Sequence, residues 1–277
     1  MKVIRVFPRR TSYTPADAYA FVGDPPLWRP EADEVHISCC FSWDIAETER
    51  LHRAWEQYYP GRVYSGGPVW NSDGDFVPGL YVRQGVTITS RGCNNRCPWC
   101  LVPEREGKFR TLPITPGYII QDNNLLQAPK GHLEQVFAML KSQRRAAIFA
   151  GGLDARLVSD WVAGELRGLR IGQVFLACDT EEAIIPLRKA LAKLSFLPRE
   201  KLRCYVLCAF GGEAVEQARA RLEEVWEAGA MPFCQNYQPP EKYIAYSAEW
   251  KALAREWSRP AIMKAAHDMH GRRRRSR

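Results

Sequence analysis

The sequence predicts an α/β protein, and three observations lead to that class. Strand-like and helix-like segments alternate between residues 85 and 236, which is typical of parallel strands joined by helical crossovers. A single strand–helix–strand pattern precedes them. The composition, 46% hydrophobic and 25% charged, is ordinary for a globular domain and excludes the collagen-like, low-complexity and disordered classes.

The first 82 residues are expected to form a small, truncated α/β unit. Residues 35–41 are apolar enough for a buried strand, and residues 45–59 repeat apolar side chains at helical spacing. Residues 62–64 lead into a Gly-Gly-Pro turn, and the turn-rich residues 71–79 follow. We therefore place a domain boundary near residue 82.

Six β/α repeats are predicted in a second domain, residues 83–238. The predicted strands are residues 85–89, 118–121, 146–150, 173–178, 202–209 and 231–236. The predicted helices include residues 133–141, 160–166, 182–194 and 213–228. Periodicity alone does not choose between a doubly wound sheet and three-quarters of a barrel. In both architectures, functional groups gather at the carboxyl ends of the strands.

Chemically distinctive residues follow each predicted strand. In chain order they are Cys93 and its neighbours, Asp122-Asn123-Asn124, Gly151-Gly152-Leu153-Asp154, Asp179, Gly211-Gly212-Glu213 and Gln235-Asn236. This clustering predicts a functional site at that edge.

The formal net charge of +8 comes largely from one end of the chain. Residues 272–277 hold five arginines, so the rest of the chain carries 34 basic and 31 acidic residues. The basic residues are thus concentrated in the tail of a predicted helical C-terminal extension, residues 239–277. Apolar runs stay well below the roughly 18 residues that span a membrane, and the first ten residues lack signal-peptide features. We expect a cytoplasmic protein without membrane contact.

Nine cysteines without an export signal indicate reduced thiols, metal ligands or core residues. Three of them, Cys93, Cys97 and Cys100, are spaced C-x₃-C-x₂-C. Thiolates suit zinc and iron–sulfur clusters, and three cysteines would leave one iron of a [4Fe–4S] cluster open to a small molecule. A structural zinc site normally has a fourth ligand in a second cysteine or histidine pair, and His132 stands alone. A cluster is favoured; zinc and unbound thiols stay as alternatives.

With Trp99 directly before the last cysteine, the motif resembles that of the radical S-adenosylmethionine (radical SAM) superfamily. Residues 89–110 resemble the cluster loop of its methylthiotransferase-like and cobalamin-dependent branches, and similarity extends over residues 35–238. The resemblance implies a partial (β/α)₆ TIM barrel. It also implies a [4Fe–4S] cluster on Cys93, Cys97 and Cys100 whose open iron binds SAM, and reductive cleavage of SAM to a 5′-deoxyadenosyl radical.

Further SAM contacts follow from the resemblance. Trp99 is expected beside the adenine, with simple packing as the alternative. Asp122, Asn123 and Asn124 stand where many members carry Gly-Gly-Glu for the amino group, although an Asx turn would suit them equally.

Three later segments complete the expected contacts. Arg156 is expected to pair with the SAM carboxylate, or else with Asp160 four residues on. Asp179 is expected on the ribose hydroxyls, or else near a helix N-cap. Gln235 and Asn236 are expected to contact adenine or substrate, or else to lie in a loop with satisfied amides.

The other cysteines are expected to be mainly core residues. Cys204 and Cys208 lie about 13 Å apart on one face of a strand, too far to share a metal. Cys39 and Cys40 lie in an apolar strand. Cys234, at a strand end beside the proposed cavity, is the candidate for hydrogen-atom transfer, with burial in the wall as its alternative.

The first unit resembles part of the cobalamin-binding domain that precedes the barrel in one branch. Its Asp-x-His-x-x-Gly ligand loop is missing; Glu34-Val35-His36 is the nearest string. We therefore expect no cobalamin.

Taken as a whole, the sequence predicts a radical SAM enzyme that acts on an unidentified small or medium substrate. An electron donor such as flavodoxin or ferredoxin is implied. The alternative is a non-enzymatic iron–sulfur redox sensor or nucleic-acid-binding protein, in which the arginine tail would contact phosphates.

Overall fold

The computed structural model describes residues 1–70 and 76–266. The chain packs as two units. The first comprises Met1–Ile88 and Pro239–Tyr243, and the second comprises Thr89–Gln238 and the described residues from Ile244 onward. Most of the predicted C-terminal extension thus belongs to the second unit, because Leu253, Trp257 and Met263 are buried in its core. The arginine tail lies outside the described residues.

The first unit contains a four-stranded parallel sheet. Its strands are β1 (Val3–Phe7), β2 (Ala20–Val22), β3 (Glu34–Ser38) and β4 (Val63–Gly66), in the order β2-β1-β3-β4. Helix α1 (Ile45–Glu56) connects β3 to β4. Leu51 and Trp55 of α1 are fully buried against the apolar side chains of β1 and β3.

The sequence predicted only the strand–helix–strand part of this unit and missed β1 and β2. β1 places Arg5 between apolar residues, which obscured the strand. In the structure the Arg5 side chain is buried and forms an ion pair with Asp17. The ion pair with Asp17 therefore compensates the burial of a charged side chain in β1, although that charge made the local sequence pattern unlike a buried strand.

After β4 the chain forms β5 (Val86–Thr87) and a two-stranded antiparallel ribbon, β6 (Ser90–Arg91) with β7 (Arg110–Thr111). The remaining strands are β8 (Ile119–Ile120), β9 (Ala147–Phe149), β10 (Ile171–Ala177), β11 (Leu202–Cys208) and β12 (Met231–Asn236). All six predicted strands are thus confirmed in position, although β5 lies in the first unit. The ribbon was not predicted.

The strands of the second unit have the sheet order β12-β11-β10-β9-β8, and these neighbours pair in parallel. This order follows the chain without reversing. A doubly wound sheet requires a reversal, so the structure excludes that alternative. Within the described residues the sheet is open, and no closed barrel is found.

The helices after α1 include α2 (Val102–Arg105), α3 (Lys130–Ser142), α4 (Asp160–Arg167), α5 (Ile184–Lys193), α6 (Val215–Glu227) and α7 (Ala248–Ser258). The four helices predicted between strands correspond to α3, α4, α5 and α6. None of the helices in residues 1–70 and 76–266 is long and apolar enough to cross a membrane.

The sheet has two unlike faces. Alternate residues such as Val174, Leu176 and Val206 are fully buried in the core that the helices complete. Their neighbours Phe175 and Tyr205 point to the opposite face and are only partly buried. We call this second side, on β10 to β12, the inner face.

The core contains a buried ion pair. Arg221 of α6 and Glu213 have side chains that are 8% and 11% exposed, and their nearest charged atoms are 2.5 Å apart. Arg221 also donates to the Leu207 carbonyl at 2.6 Å. The pair therefore links α6 to the carboxyl end of β11.

Replacing Arg221 by Ala should lower the free energy of unfolding by about 3 kcal/mol, because Glu213 would stay buried without its partner. Chemical denaturation measures this change. The matched control is Arg219→Ala on the same helix, whose pair with Glu256 is more exposed and should contribute less than about 1 kcal/mol. Equal effects of the two variants would contradict the assignment.

Candidate functional site

The loop with the three clustered cysteines is closed at its base by the ribbon. Gly92 follows β6 with φ +77°, and an added Cβ would lie 2.2 Å from the Lys108 carbonyl oxygen. The Cys93 amide donates to the Gly107 carbonyl at 3.2 Å. Glycine is therefore required where the two sides of the loop meet.

Asp122, which directly follows β8 and Gln121, anchors this loop to the sheet. Its carboxylate accepts hydrogen bonds from the Thr89 amide at 2.7 Å and from the hydroxyls of Thr89 and Ser90 at 2.6 Å each. Burial raises the pKa of Asp122, and the three hydrogen bonds oppose that rise. Asp122 is only 1% exposed. Its observed contacts are thus to the loop base, and the expectation that it accepts a ligand's amino group stays a prediction.

Asn123 and Gly151 also serve the scaffold. Asn123 Oδ1 accepts from the Gly92 amide at 3.0 Å, so the predicted ligand contact is replaced by a loop contact. A Cβ on Gly151 would lie 2.0 Å from the Asp122 carbonyl oxygen. Gly151 thus permits a close approach between the ends of β8 and β9.

Cys93 is surrounded by N–H donors. Its Sγ accepts from the Asn95 amide at 3.4 Å, from Gln127 Nε2 at 3.6 Å and from Asn124 Nδ2 at 3.7 Å. N–H donors of this kind commonly surround the sulfur of a metal-binding cysteine. Gln127 was missed by sequence reasoning, because no spacing rule links it to a cysteine 34 positions earlier.

Asn124 is the one member of the Asp-Asn-Asn run with a free acceptor. Its residue is 5% exposed, and Oδ1 is buried without a hydrogen-bond partner among the described residues. Its Nδ2 donates to Cys93 Sγ and, at 3.4 Å, to Asp154 Oδ2. An unpaired buried acceptor is costly, so this oxygen is suited to receive a donor from a ligand beside Cys93.

Asp154 and Arg156 form a pair at the end of β9. Arg156 Nε and Nη2 donate to the two carboxylate oxygens at 2.8 and 2.6 Å. Asn95 Nδ2 adds a bond at 3.1 Å. The alternative partner proposed for Arg156, Asp160, instead pairs with Lys193 at 3.2 Å. Arg156 therefore reaches a ligand's carboxylate only by sharing or leaving Asp154.

Aromatic side chains line the site next to Trp99. The rings of Trp99 and Phe210 meet edge to face at 5.5 Å, and Phe210 meets Tyr237 at 4.9 Å. Phe210 follows Ala209, which has φ 62° and so turns the chain sharply after β11. Phe210 was missed because a turn of this kind has no simple sequence signature.

Asp179 lies beside the same loop. Its Oδ1 accepts from the Leu207 amide at 3.0 Å. Burial raises its pKa, while hydrogen bonds from Leu207 and the Trp99 side chain lower it. Asp179 therefore bridges β10, β11 and the cysteine loop.

The residues of β12 divide between two faces. Cys234 is 4% exposed and its Sγ lies 3.3 Å from that of Cys208, so its place is the helix-covered core and not a cavity. Asn236 Nδ2 donates to the Trp250 carbonyl at 3.4 Å, and Asn236 Oδ1 accepts from the Cys234 thiol at 3.7 Å. Gln235, on the opposite face, is exposed.

The remaining cysteine predictions are largely confirmed. Cys204 and Cys208 are fully buried. Cys39 is also fully buried, but Cys40 is exposed because β3 already ends at Ser38. That part of the prediction is wrong.

The three cysteines of the loop are not arranged as a metal site in the described part of the chain. Burial raises the pKa values of Cys97 and Cys100, and the charges of the neighbouring thiols and Asp179 raise them further. No group of three or more Cys, His, Asp or Glu side chains in residues 1–70 and 76–266 has an arrangement that could hold a metal. The donors around Cys93 and the free oxygen of Asn124 are nonetheless features that such a group would use.

Comparison of the chain with protein-family models and with curated proteins finds no match. The function has therefore to be inferred from the residues of the site.

Replacing Asp122 by Ala should lower the free energy of unfolding by about 2 to 4 kcal/mol, because three buried donors would lose their acceptor. Urea denaturation measures the loss. Asp160→Ala removes an exposed carboxylate and should cost less than about 1 kcal/mol. A negligible effect of Asp122→Ala would contradict the anchoring role.

The Asp154 carboxylate should make stability depend on pH. Burial alone would raise its pKa, but hydrogen bonds from Arg156 and Asn95 outweigh burial and hold the pKa below its ordinary value. Its contribution is therefore complete above the unfolded pKa of about 3.9 and is lost as pH falls through the lower folded value. The stability gap between wild type and Asp154→Asn should shrink below about pH 4; a gap constant from pH 3 to 7 would contradict this.

Proposed function

We propose that this protein is a radical SAM enzyme. The observation that carries the proposal is the C-x₃-C-x₂-C loop beside the carboxyl ends of parallel strands, with Cys93 Sγ receiving three N–H donors and the unpaired Asn124 oxygen next to it. Cys93, Cys97 and Cys100 would hold a [4Fe–4S] cluster. When bound, such a cluster supplies the electron that cleaves SAM.

The chain's own residues would bind and orient SAM. Asn124 Oδ1 would accept from the amino group, because it is the buried acceptor nearest Cys93 that lacks a donor. Trp99 and Phe210 would pack against the adenine. Asp179, with Oδ1 bonded to Leu207, would offer its second oxygen to the ribose hydroxyls. Arg156 and Gln235 stay secondary candidates, for the carboxylate and for the substrate.

The sheet topology supports the finer fold proposal. Crossovers between parallel strands are right-handed in nearly all proteins. When the sheet order also follows the chain order, as it does here, such crossovers place all the helices on one side of the sheet and leave the other side free. A partial (β/α)₆ TIM barrel of the radical SAM type has this order. The partly exposed inner face would then line its interior, with the cysteine loop at the upper rim.

Cobalamin is not part of the proposal. Both ring nitrogens of His36 have partners, since Nδ1 lies 2.5 Å from Tyr81 Oη and Nε2 lies 2.8 Å from Glu34 Oε2. These contacts support the expectation that the first unit binds no cobalamin, which stays a prediction. A flavodoxin or ferredoxin stays the expected electron donor.

Anaerobic reconstitution with iron and sulfide should give about four irons per chain and the paramagnetic signal of a reduced cubane. Cys93→Ala, Cys97→Ala and Cys100→Ala should each abolish it. Cys40→Ala, which removes an exposed thiol in the other unit, should leave iron content unchanged. Zinc bound in equal stoichiometry, or iron that survives all three substitutions, would reject the proposal.

SAM should change the spectrum of the reduced cluster and yield 5′-deoxyadenosine slowly. Asn124→Ala should weaken SAM binding about tenfold or more, because a charged amino group would lose its buried acceptor. The control Asn236→Ala removes an amide that already has partners and should bind SAM normally. An iron-loaded protein that ignores SAM would favour the redox-sensor alternative.

A further inference from the structure

The inner face carries a buried arginine that lacks a counter-charge. Among the described residues three arginines are buried: Arg5, Arg203 and Arg221. Arg5 pairs with Asp17, and Arg221 pairs with Glu213. Arg203, which is 6% exposed, forms no ion pair and no side-chain hydrogen bond with any residue in the described parts of the chain. Its Nε is buried without a partner.

The surroundings of Arg203 are aromatic. Its guanidinium carbon lies 6.0 Å from the ring centre of Phe175 and 5.7 Å from that of Phe233. Tyr205 stacks on Phe175 at 4.6 Å and meets Phe233 edge to face at 5.9 Å. These rings orient the guanidinium but supply no negative charge. Contacts of this type recover only about 1 to 2 kcal/mol, less than the desolvation of an unpaired cation.

The position of Arg203 relates this charge to the site. Arg203 is the second residue of β11, and it is on the face opposite to Cys204 and Val206, which are fully buried in the core. The same face leads along β11 past Tyr205 to Leu207 and the turn at Ala209. Ala209 lies six positions after Arg203, which is about 20 Å of extended strand. The unpaired charge and the cysteine loop thus lie toward opposite ends of one face.

Of the Arg203 nitrogens, only Nε is both fully buried and unpartnered, so the terminal nitrogens keep some contact with solvent. These terminal nitrogens are the atoms that a ligand would contact. A planar guanidinium presents paired N–H groups that match the two oxygens of a carboxylate or phosphate.

We propose that Arg203 binds an oxoanion, a carboxylate or phosphate group, on the substrate of this enzyme. The group would lie between Phe175 and Phe233 at the amino-terminal end of the inner face, and the reacting part of the substrate would point toward the cysteine loop. The substrate would thus be a medium-sized molecule with its anionic group remote from the reacting atom. This assignment of a substrate class rests on the proposed function, whereas the oxoanion site itself does not.

The test measures thermal unfolding of the chain without a cluster, in phosphate and separately in acetate, each against chloride at equal ionic strength. Phosphate or acetate at roughly five times its dissociation constant should raise the Tm by about 2 to 4 °C. The more effective of the two anions identifies the group that the site prefers.

Arg203→Met should abolish this shift, and its Tm in chloride should not fall, because the variant removes an unpaired buried charge. Arg203→Lys should keep a smaller shift, since it keeps the charge without the fork. Arg144→Met removes an exposed arginine and should respond as wild type does.

The proposal would be overturned if neither phosphate nor acetate raised the Tm of the wild-type chain above its value in chloride. It would also be overturned by an anion shift that survives in Arg203→Met, or by a lower Tm of this variant in chloride, which would mean that Arg203 already has a partner within the protein. None of these Tm measurements requires iron or SAM. Failure of cluster assembly with an intact anion shift would therefore reject the proposed function alone.

Discussion

The buried carboxylate of Asp122 is the constraint on which the arrangement of the site depends. A carboxylate that is 1% exposed must be fully hydrogen-bonded, and here its donors are the Thr89 amide and the hydroxyls of Thr89 and Ser90. These bonds tie the start of the cysteine loop to the end of β8. Gly151 lets β9 approach the same point, since any larger residue would collide with the Asp122 carbonyl. The position of Cys93 beside Asn124 and Gln127 follows from this anchor.

Several buried polar groups of the second unit follow the same rule, and two that lack partners are candidates for ligand contacts. Arg221 is buried and paired, and Asp154 is held by Arg156 and Asn95. By contrast, Asn124 Oδ1 and Arg203 Nε are buried and lack partners within the described residues. Because unsatisfied buried groups are costly, both are suited to ligands, one beside the cysteine loop and the other far down the inner face.

Much of the second unit could be predicted from local pattern. Apolar runs bounded by turn residues gave the strands, and β12 coincides with its predicted bounds. The ribbon of β6 and β7 could not be predicted, because two residues on each side carry no periodic signal. In the same way, Asp122 looked like a ligand-facing acidic residue, and only its contacts with Thr89 and Ser90 assign it to the loop base.

The sequence by itself determined the α/β class, the positions of the parallel strands and the clustering of cysteines in one loop, because these depend on periodicity and short spacing. Tertiary structure decided the order of the strands, since sheet order depends on the direction of each crossover. It also decided which polar side chains have hydrogen-bond partners within the protein. Asp122 and Asn123 accept hydrogen bonds from the loop, whereas Asn124 Oδ1 has no donor among the described residues. Adjacent residues of similar chemistry differ in this way because a hydrogen bond depends on partners that are distant in the chain.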